Sequence, residues 1–128
     1  MAQEPQILYI EDERATFDLV SQALRPLGYK VVRAASGQQG LTLMQKQTPD
    51  LLLLDLMMPD LNGWDVYRAV KTDQKLAGLP VIVISARLSE HERVIIADLP
   101  EADAYIVKPF DVEQVIAVVQ KLCPFPLS

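Results

Sequence analysis

Five short apolar runs recur along the chain: Ile7-Leu8-Tyr9-Ile10, Tyr29 to Val32, Leu51 to Leu54, Val81 to Ile84, and Ala104 to Val107. Most are continuous rather than alternating, the pattern of strands in a parallel sheet whose two faces are both covered by helices. Between them, apolar residues return at helical spacing, clearest in Val20, Ala23, Leu24, Leu27 and in Val112, Val115, Ile116, Val119. Each set marks an amphipathic helix with one buried stripe. Helix starts are signalled where Ser36, Ser89 and Asp111 stand three residues before Gln39, Glu92 and Gln114, the spacing of a capping box. Gly28 is placed to end the first helix and Pro49 to end the second. The order is βαβαβαβαβα, which predicts an α/β fold: a doubly wound (βα)5 sandwich with right-handed crossovers and its functional groups at the carboxyl edge of the strands.

Composition narrows the picture. The 128 residues are 50% hydrophobic, enough for one core, so residues 1–128 read as a single domain with its core at about 5–122. A net charge of −5 argues against a direct nucleic-acid partner, which needs clustered Lys and Arg. No apolar run approaches membrane-spanning length and Met1-Ala2-Gln3-Glu4-Pro5 is no signal peptide, so a soluble, cytoplasmic protein is expected. The sequence has one cysteine, Cys123, and one histidine, His91, which excludes an intrachain disulfide and a His/Cys zinc site.

Polar groups follow four of the five predicted strands: Glu11-Asp12, Asp55, Ser85 and Lys108. In a doubly wound sheet these open on one edge. Three carboxylates converging there repel one another unless a cation sits among them, and an all-oxygen donor set suits Mg²⁺, with Mn²⁺ able to substitute. A carboxylate in such a place can attack a phosphoryl donor, and Asp55 at the end of the central strand is best positioned. Lys108 offers a point charge and Ser85 a hydroxyl to the transferred group. Taken alone, Asp55 would read as a cap and Lys108 as a solvated surface cation; their company reverses both readings.

Leu51-Leu52-Leu53-Leu54-Asp55-Leu56-Met57-Met58-Pro59 with Asn62-Gly63, Glu11-Asp12, Ser85-Ala86 and Ala104-Tyr105-Ile106-Val107-Lys108-Pro109-Phe110 together resemble the receiver domains of two-component response regulators. The resemblance spans nearly the whole chain. It implies a flavodoxin-like fold with sheet order 2-1-3-4-5. It also implies that Asp55 accepts a phosphoryl group from a sensor histidine kinase or a histidine phosphotransfer protein, making the chain a switch rather than a conventional enzyme. Asp12, Asp55 and the Met57 backbone carbonyl would bind Mg²⁺, and Glu11 would contribute through a water. Ser85 and Lys108 would contact the phosphoryl group, the Lys108-Pro109 bond would be cis, and Tyr105 would reorient with Ser85 as the switch. The output surface would be the face of the fourth helix, fifth strand and fifth helix, with a homodimer through those helices left open. The sequence departs from the family pattern at Glu11, where Asp is usual, at Ser85, often Thr, and at Glu101, where Gly is usual.

Met57 and Arg87 lie two residues beyond Asp55 and Ser85 and should flank the path of attacking water. Met57 cannot orient water, so slow loss of the phosphoryl group is expected, with Arg87 shielding it. Two alternatives from other classes are weaker. A phosphatase passing through an aspartyl phosphate needs a second acid where Met57 stands, and a flavodoxin-like cofactor binder needs a phosphate loop after the first strand. A phosphorylation-independent receiver-like binding module is the remaining alternative.

Overall fold

The structure, a computed structural model, describes residues 4–56, 62–86 and 103–124. Five strands, β1 (Gln6–Ile10), β2 (Lys30–Ala34), β3 (Leu51–Asp55), β4 (Val81–Ser85) and β5 (Ala104–Val107), form one parallel sheet in the order β2-β1-β3-β4-β5. The described helices are α1 (Arg14–Leu24), α2 (Gly37–Lys46), α3 (Gly63–Thr72) and α4 (Val112–Leu122). The label α4 therefore belongs to the fifth helix of the sequence pattern. The predicted helix between β4 and β5, with Ser89, Glu92, His91 and Glu101, lies outside the described residues.

Burial follows the pleat. Leu8, Ile10, Leu52, Leu54, Val81 and Val83 point to one face and pack with Met44, Trp64, Tyr67 and Val70 from α2 and α3. Ile7, Tyr9, Leu51, Leu53, Ile82 and Ile84 point to the other and pack with Phe17, Val20, Leu24, Val115 and Val119 from α1 and α4. Every residue of β3 and β4 is buried, which is why both strands are apolar without alternation, whereas the edge strands β2 and β5 mix exposed and buried positions. Each fully buried leucine of β3 contributes about 2–3 kcal/mol by removal of its apolar surface from water.

Element ends sharpen the predicted boundaries. Ser36 Oγ accepts from Gln39 N at 3.1 Å while Gln39 Oε1 accepts from Ala35 N at 2.7 Å, so the cap at α2 forms with its return bond one residue early. Asp111 stands at the α4 N-cap but makes no side-chain capping bond; its backbone carbonyl accepts from Gln114 N at 3.0 Å instead. At α1 the helix gives way to a 3₁₀ turn at Arg25–Leu27, and Gly28 stops it at φ 101°. The strand predicted to start at Tyr29 starts at Lys30; Tyr29 is buried and donates to the Cys123 carbonyl at 2.6 Å, tying the end of α4 to β2.

Candidate phosphoacceptor site

The carboxyl edge of the sheet carries the predicted groups. Asp55 and Ser85 are not beyond their strands but are the last residues of β3 and β4, in register with Ile84 and Val107. The ladder continues one step further, with Leu56 N donating to Ile84 O at 2.9 Å and Lys108 N to Ser85 O at 2.8 Å, which fixes the backbone on both sides of the crevice. Glu11, Asp55 and Ser85 are buried, Asp12 is exposed and Lys108 is partly buried.

Glu11, Asp12 and Asp55 each bring a carboxylate oxygen to within 4.8 Å of the others. Lys108 Nζ bridges two of them, donating to Asp55 Oδ2 at 2.9 Å and to Glu11 Oε1 at 3.3 Å. Burial of its ammonium opposes charge, but Asp55 and then Glu11 outweigh it and hold Lys108 protonated above its ordinary range. Glu11 is pushed up to about 7, first by burial and then by its hydrogen bond and like charge with Asp55; the Glu13 amide and Lys108 pull the other way. One lysine therefore does not neutralise the cluster, and three oxygen donors at this separation fit a hard divalent cation.

The geometry adds two residues to the predicted set. Tyr9, buried beneath the crevice, donates from its hydroxyl to Glu11 Oε1 at 3.3 Å. Burial and the nearby carboxylates keep its phenol protonated well above the ordinary range. Arg33 corrects the expectation that β2 supplies nothing: its Nε donates to the Glu11 carbonyl at 3.1 Å and its Nη2 to the Asp12 carbonyl at 2.7 Å, holding the acidic loop from the neighbouring strand. Arg33 lies opposite Tyr9 in the β1–β2 register, a pairing visible only once the sheet order is known.

The Lys108-Pro109 bond is cis, as expected. Tyr105 is 47% exposed and Val107 40% exposed, on either side of buried Ile106. Met57 and Arg87 lie outside the described residues. Trp64, in the first turn of α3, is buried edge-on to Tyr67 at a centroid distance of 5.7 Å. No helix among the described residues is long and apolar enough to cross a membrane.

Comparison with known proteins agrees with this geometry. The chain is 39% identical over 118 residues to the DNA-binding dual master transcriptional regulator RpaA of Synechocystis, covering 92% of this chain and 48% of that protein. It is 35% identical over 116 residues to the transcriptional regulatory protein CusR of Escherichia coli, covering 91% of this chain and 50% of that one. The chain thus spans about half the length of these curated relatives. Among solved structures, the chemotaxis protein CheY4 of Vibrio cholerae superposes with a TM-score of 0.83 at 26% identity, covering 94% of this chain and 99% of that one. The receiver domain of a Pseudomonas aeruginosa sensor histidine kinase, with a magnesium ion coordinated in its active-site cleft, superposes with a TM-score of 0.80 at 25% identity, covering 94% and 98%. Residues 7–120 match the response regulator receiver domain, and with this strand order and acidic edge the chain belongs to that family.

Proposed function

We propose that Asp55 is the phosphoacceptor of this receiver domain and that its phosphorylation requires Mg²⁺ held by Glu11, Asp12 and Asp55, with the Met57 carbonyl as a further ligand. The observation that carries the reading is the position of Asp55: buried at the end of the central strand, within 4.8 Å of two other carboxylates and paired with Lys108 at 2.9 Å. When bound, the cation would offset the carboxylate repulsion and draw charge from the phosphoryl oxygens.

The transfer balances simply. A carboxylate oxygen of Asp55 attacks phosphorus, the P–N bond of a donor phosphohistidine breaks, and the imidazole leaves with the bonding pair and takes a proton from solvent. The product is an acyl phosphate on Asp55. Lys108 then meets phosphoryl oxygens where it now meets the carboxylate, and the Ser85 hydroxyl donates to the same group. A small-molecule donor can replace phosphohistidine, so the domain would promote its own phosphorylation and, with water, its own dephosphorylation. Met57, two residues after Asp55 in the sequence, has no group that could orient a water, so that hydrolysis is expected to be slow.

The donor would be a sensor histidine kinase or a histidine phosphotransfer protein in the cytoplasm. Its approach is supported by a groove of about 510 Å³ beside Lys108, lined by Glu13, Thr16, Leu19, Pro109 and Phe110, with Leu19 53% exposed. The output would pass through β5, with Tyr105 reorienting, and the helices on either side of it. Phosphorylation shifts an existing equilibrium toward the partner-binding form.

The test is intact mass after incubation with acetyl phosphate and Mg²⁺. One phosphoryl adduct is expected on the wild type, none on Asp55→Asn, and none with a chelator present. An adduct that persists on Asp55→Asn would move the acceptor elsewhere. A folded, metal-binding wild type that acquires no adduct from acetyl phosphate or from a phosphohistidine donor would favour a phosphorylation-independent binding module.

A further inference from the structure

Tyr9 takes no part in the phosphoryl chemistry above, yet its hydroxyl is aimed at the crevice from below. It stands two residues before Glu11, which follows β1 directly and continues the ladder by donating from its amide to the Ala34 carbonyl at 3.0 Å, so both side chains fall on the same face. The ring is fully buried and tilts against Phe17 at a centroid distance of 5.8 Å. A buried phenol requires a hydrogen-bond partner, and Tyr9 finds it in Glu11 Oε1 at 3.3 Å.

Glutamate has one methylene more than aspartate and one more torsion to fix. Here both its oxygens are engaged: Oε1 by Tyr9 and Lys108, Oε2 by the Glu13 amide at 3.2 Å. Lys108 is shared with Asp55 at the shorter 2.9 Å, so among the described residues Tyr9 is the side-chain donor to this carboxylate that is not shared with Asp55. From these contacts we infer that Tyr9 is a positioning residue for the cation site: its hydroxyl holds the Glu11 carboxylate beside Asp12 and Asp55 and thereby sets the affinity for a divalent ion. This rests on the reading of the crevice as a Mg²⁺-dependent phosphoacceptor site. It also makes Tyr9 and Glu11 a matched pair, because an aspartate at position 11 ends one C–C bond short of the phenol.

The experiment titrates Mn²⁺, as a probe for Mg²⁺, into metal-stripped wild type, Tyr9→Phe, Glu11→Asp and the double variant, reading free Mn²⁺ by electron paramagnetic resonance. Tyr9→Phe should raise the Kd roughly tenfold, the lower end for loss of a hydrogen bond that orients a metal ligand. In the Glu11→Asp background the same change should matter by about twofold or less, since the pair is already broken. Glu11→Asp alone should bind more weakly than wild type and melt lower, its phenol having lost an acceptor.

An unchanged Kd for Tyr9→Phe, beside a wild type that binds, overturns the inference and leaves the phosphoacceptor reading intact. An equal loss in both backgrounds overturns it too, because Tyr9 would then act through core packing. Glu11→Asp binding as tightly as wild type at an unchanged melting temperature does the same without relying on the Phe variant. Failure of folded wild type to bind Mn²⁺ removes the metal-dependent reading and the inference together.

Discussion

Replacing Asp103 by alanine should cost about 3–5 kcal/mol of folding stability, the figure for breaking a buried charged pair, while leaving the cation site intact. Asp103 immediately precedes β5, and its side chain is fully buried. Its Oδ2 accepts from the Tyr67 hydroxyl, and its Oδ1 accepts from Lys71 Nζ at 2.9 Å and from the Val81 amide at 2.9 Å. One carboxylate thus joins α3, the start of β4 and the start of β5. Lys71 also donates to the Leu79 carbonyl at 3.0 Å and is 21% exposed, so it can turn to water when Asp103 is removed. The Val81 amide and the Tyr67 hydroxyl are buried and cannot. Two stranded donors at about 1–3 kcal/mol each reach the same range.

Against a total stability of about 5–15 kcal/mol, such a loss is severe and should lower the melting temperature by roughly 10–20 °C. Urea unfolding followed by tryptophan fluorescence and by circular dichroism measures it directly. Asp103→Asn, which keeps an oxygen for Val81 but loses the charge, should fall between alanine and wild type. The Mn²⁺ affinity of the folded variants should not change, because Asp103 lies five residues and about 16 Å along the strand from Lys108. A loss under about 1 kcal/mol at unchanged m-value would refute the reasoning, since it needs both donors to be left dry.

The glycines should rank by what an added methyl meets. At Gly63 it would overlap the Leu56 backbone, at Gly40 the Cδ1 and Cγ1 atoms of the Ile10 side chain but no backbone, and at Gly78 nothing within 4 Å. Thermal melts should therefore place Gly63→Ala lowest, with a cost of about 3 kcal/mol, and Gly40→Ala nearer 1 kcal/mol. Gly78→Ala should be neutral or stabilising by about 0.5 kcal/mol, and the opposite order for Gly63 and Gly78 would contradict the packing argument. Asp73 accepts hydrogen bonds from Gln45 Nε2 at 2.9 Å and from the Lys75 amide at 2.7 Å, which lower its pKa from the ordinary 3.8. A carboxyl lowered in the folded state stabilises fully above its unfolded pKa and loses that contribution as pH falls through the folded value. Asp73→Ala should accordingly be less stable than wild type at neutral pH, with the gap closing below pH 3.8, and a carbon-detected titration of Asp73 with a midpoint above 3.8 would count against it.

Much of the fold was legible because its central strands are buried on both faces. Leu51 to Leu54 and Val81 to Ile84 are fully buried runs without alternation, the pattern of strands in a sheet covered on both faces. The site was legible for a related reason: four of the five apolar runs are followed at once by Glu11, Asp55, Ser85 or Lys108, and parallel strands bring those groups to one edge. Less accessible were the features that depend on pairing between distant elements. The apolar stripe Val20, Ala23, Leu24, Leu27 continues the first helix, yet Pro26 has no N–H to give, and the chain passes into a 3₁₀ turn at Arg25. Tyr9 stands inside an apolar run and Arg33 directly after one, and the partners of both are fixed only by register. Asp103 carries no local signal of its role, since Tyr67, Lys71 and Val81 meet it from 22 to 36 residues away.

Those distant pairings bear on how a charge change at Asp55 would travel. At its amino end β5 is tied through Asp103 to α3 and β4, and at its carboxyl end through Lys108 to Asp55 and Glu11. The first tie is buried and uses backbone and side-chain donors that phosphorylation leaves alone. The second runs through one lysine side chain shared between Glu11 and Asp55, and Asp55 is the carboxylate that would be modified. A phosphoryl group on Asp55, if it is the acceptor proposed above, would therefore act on one end of the strand only, and the buried tie at the other would resist translation. Tyr105 and Val107, the exposed residues of β5, lie between the fixed and the responsive end. The displacement they can undergo grows toward Lys108, so weakening the Asp103 anchor should blunt the response at Tyr105 even where phosphorylation of Asp55 proceeds at the wild-type rate.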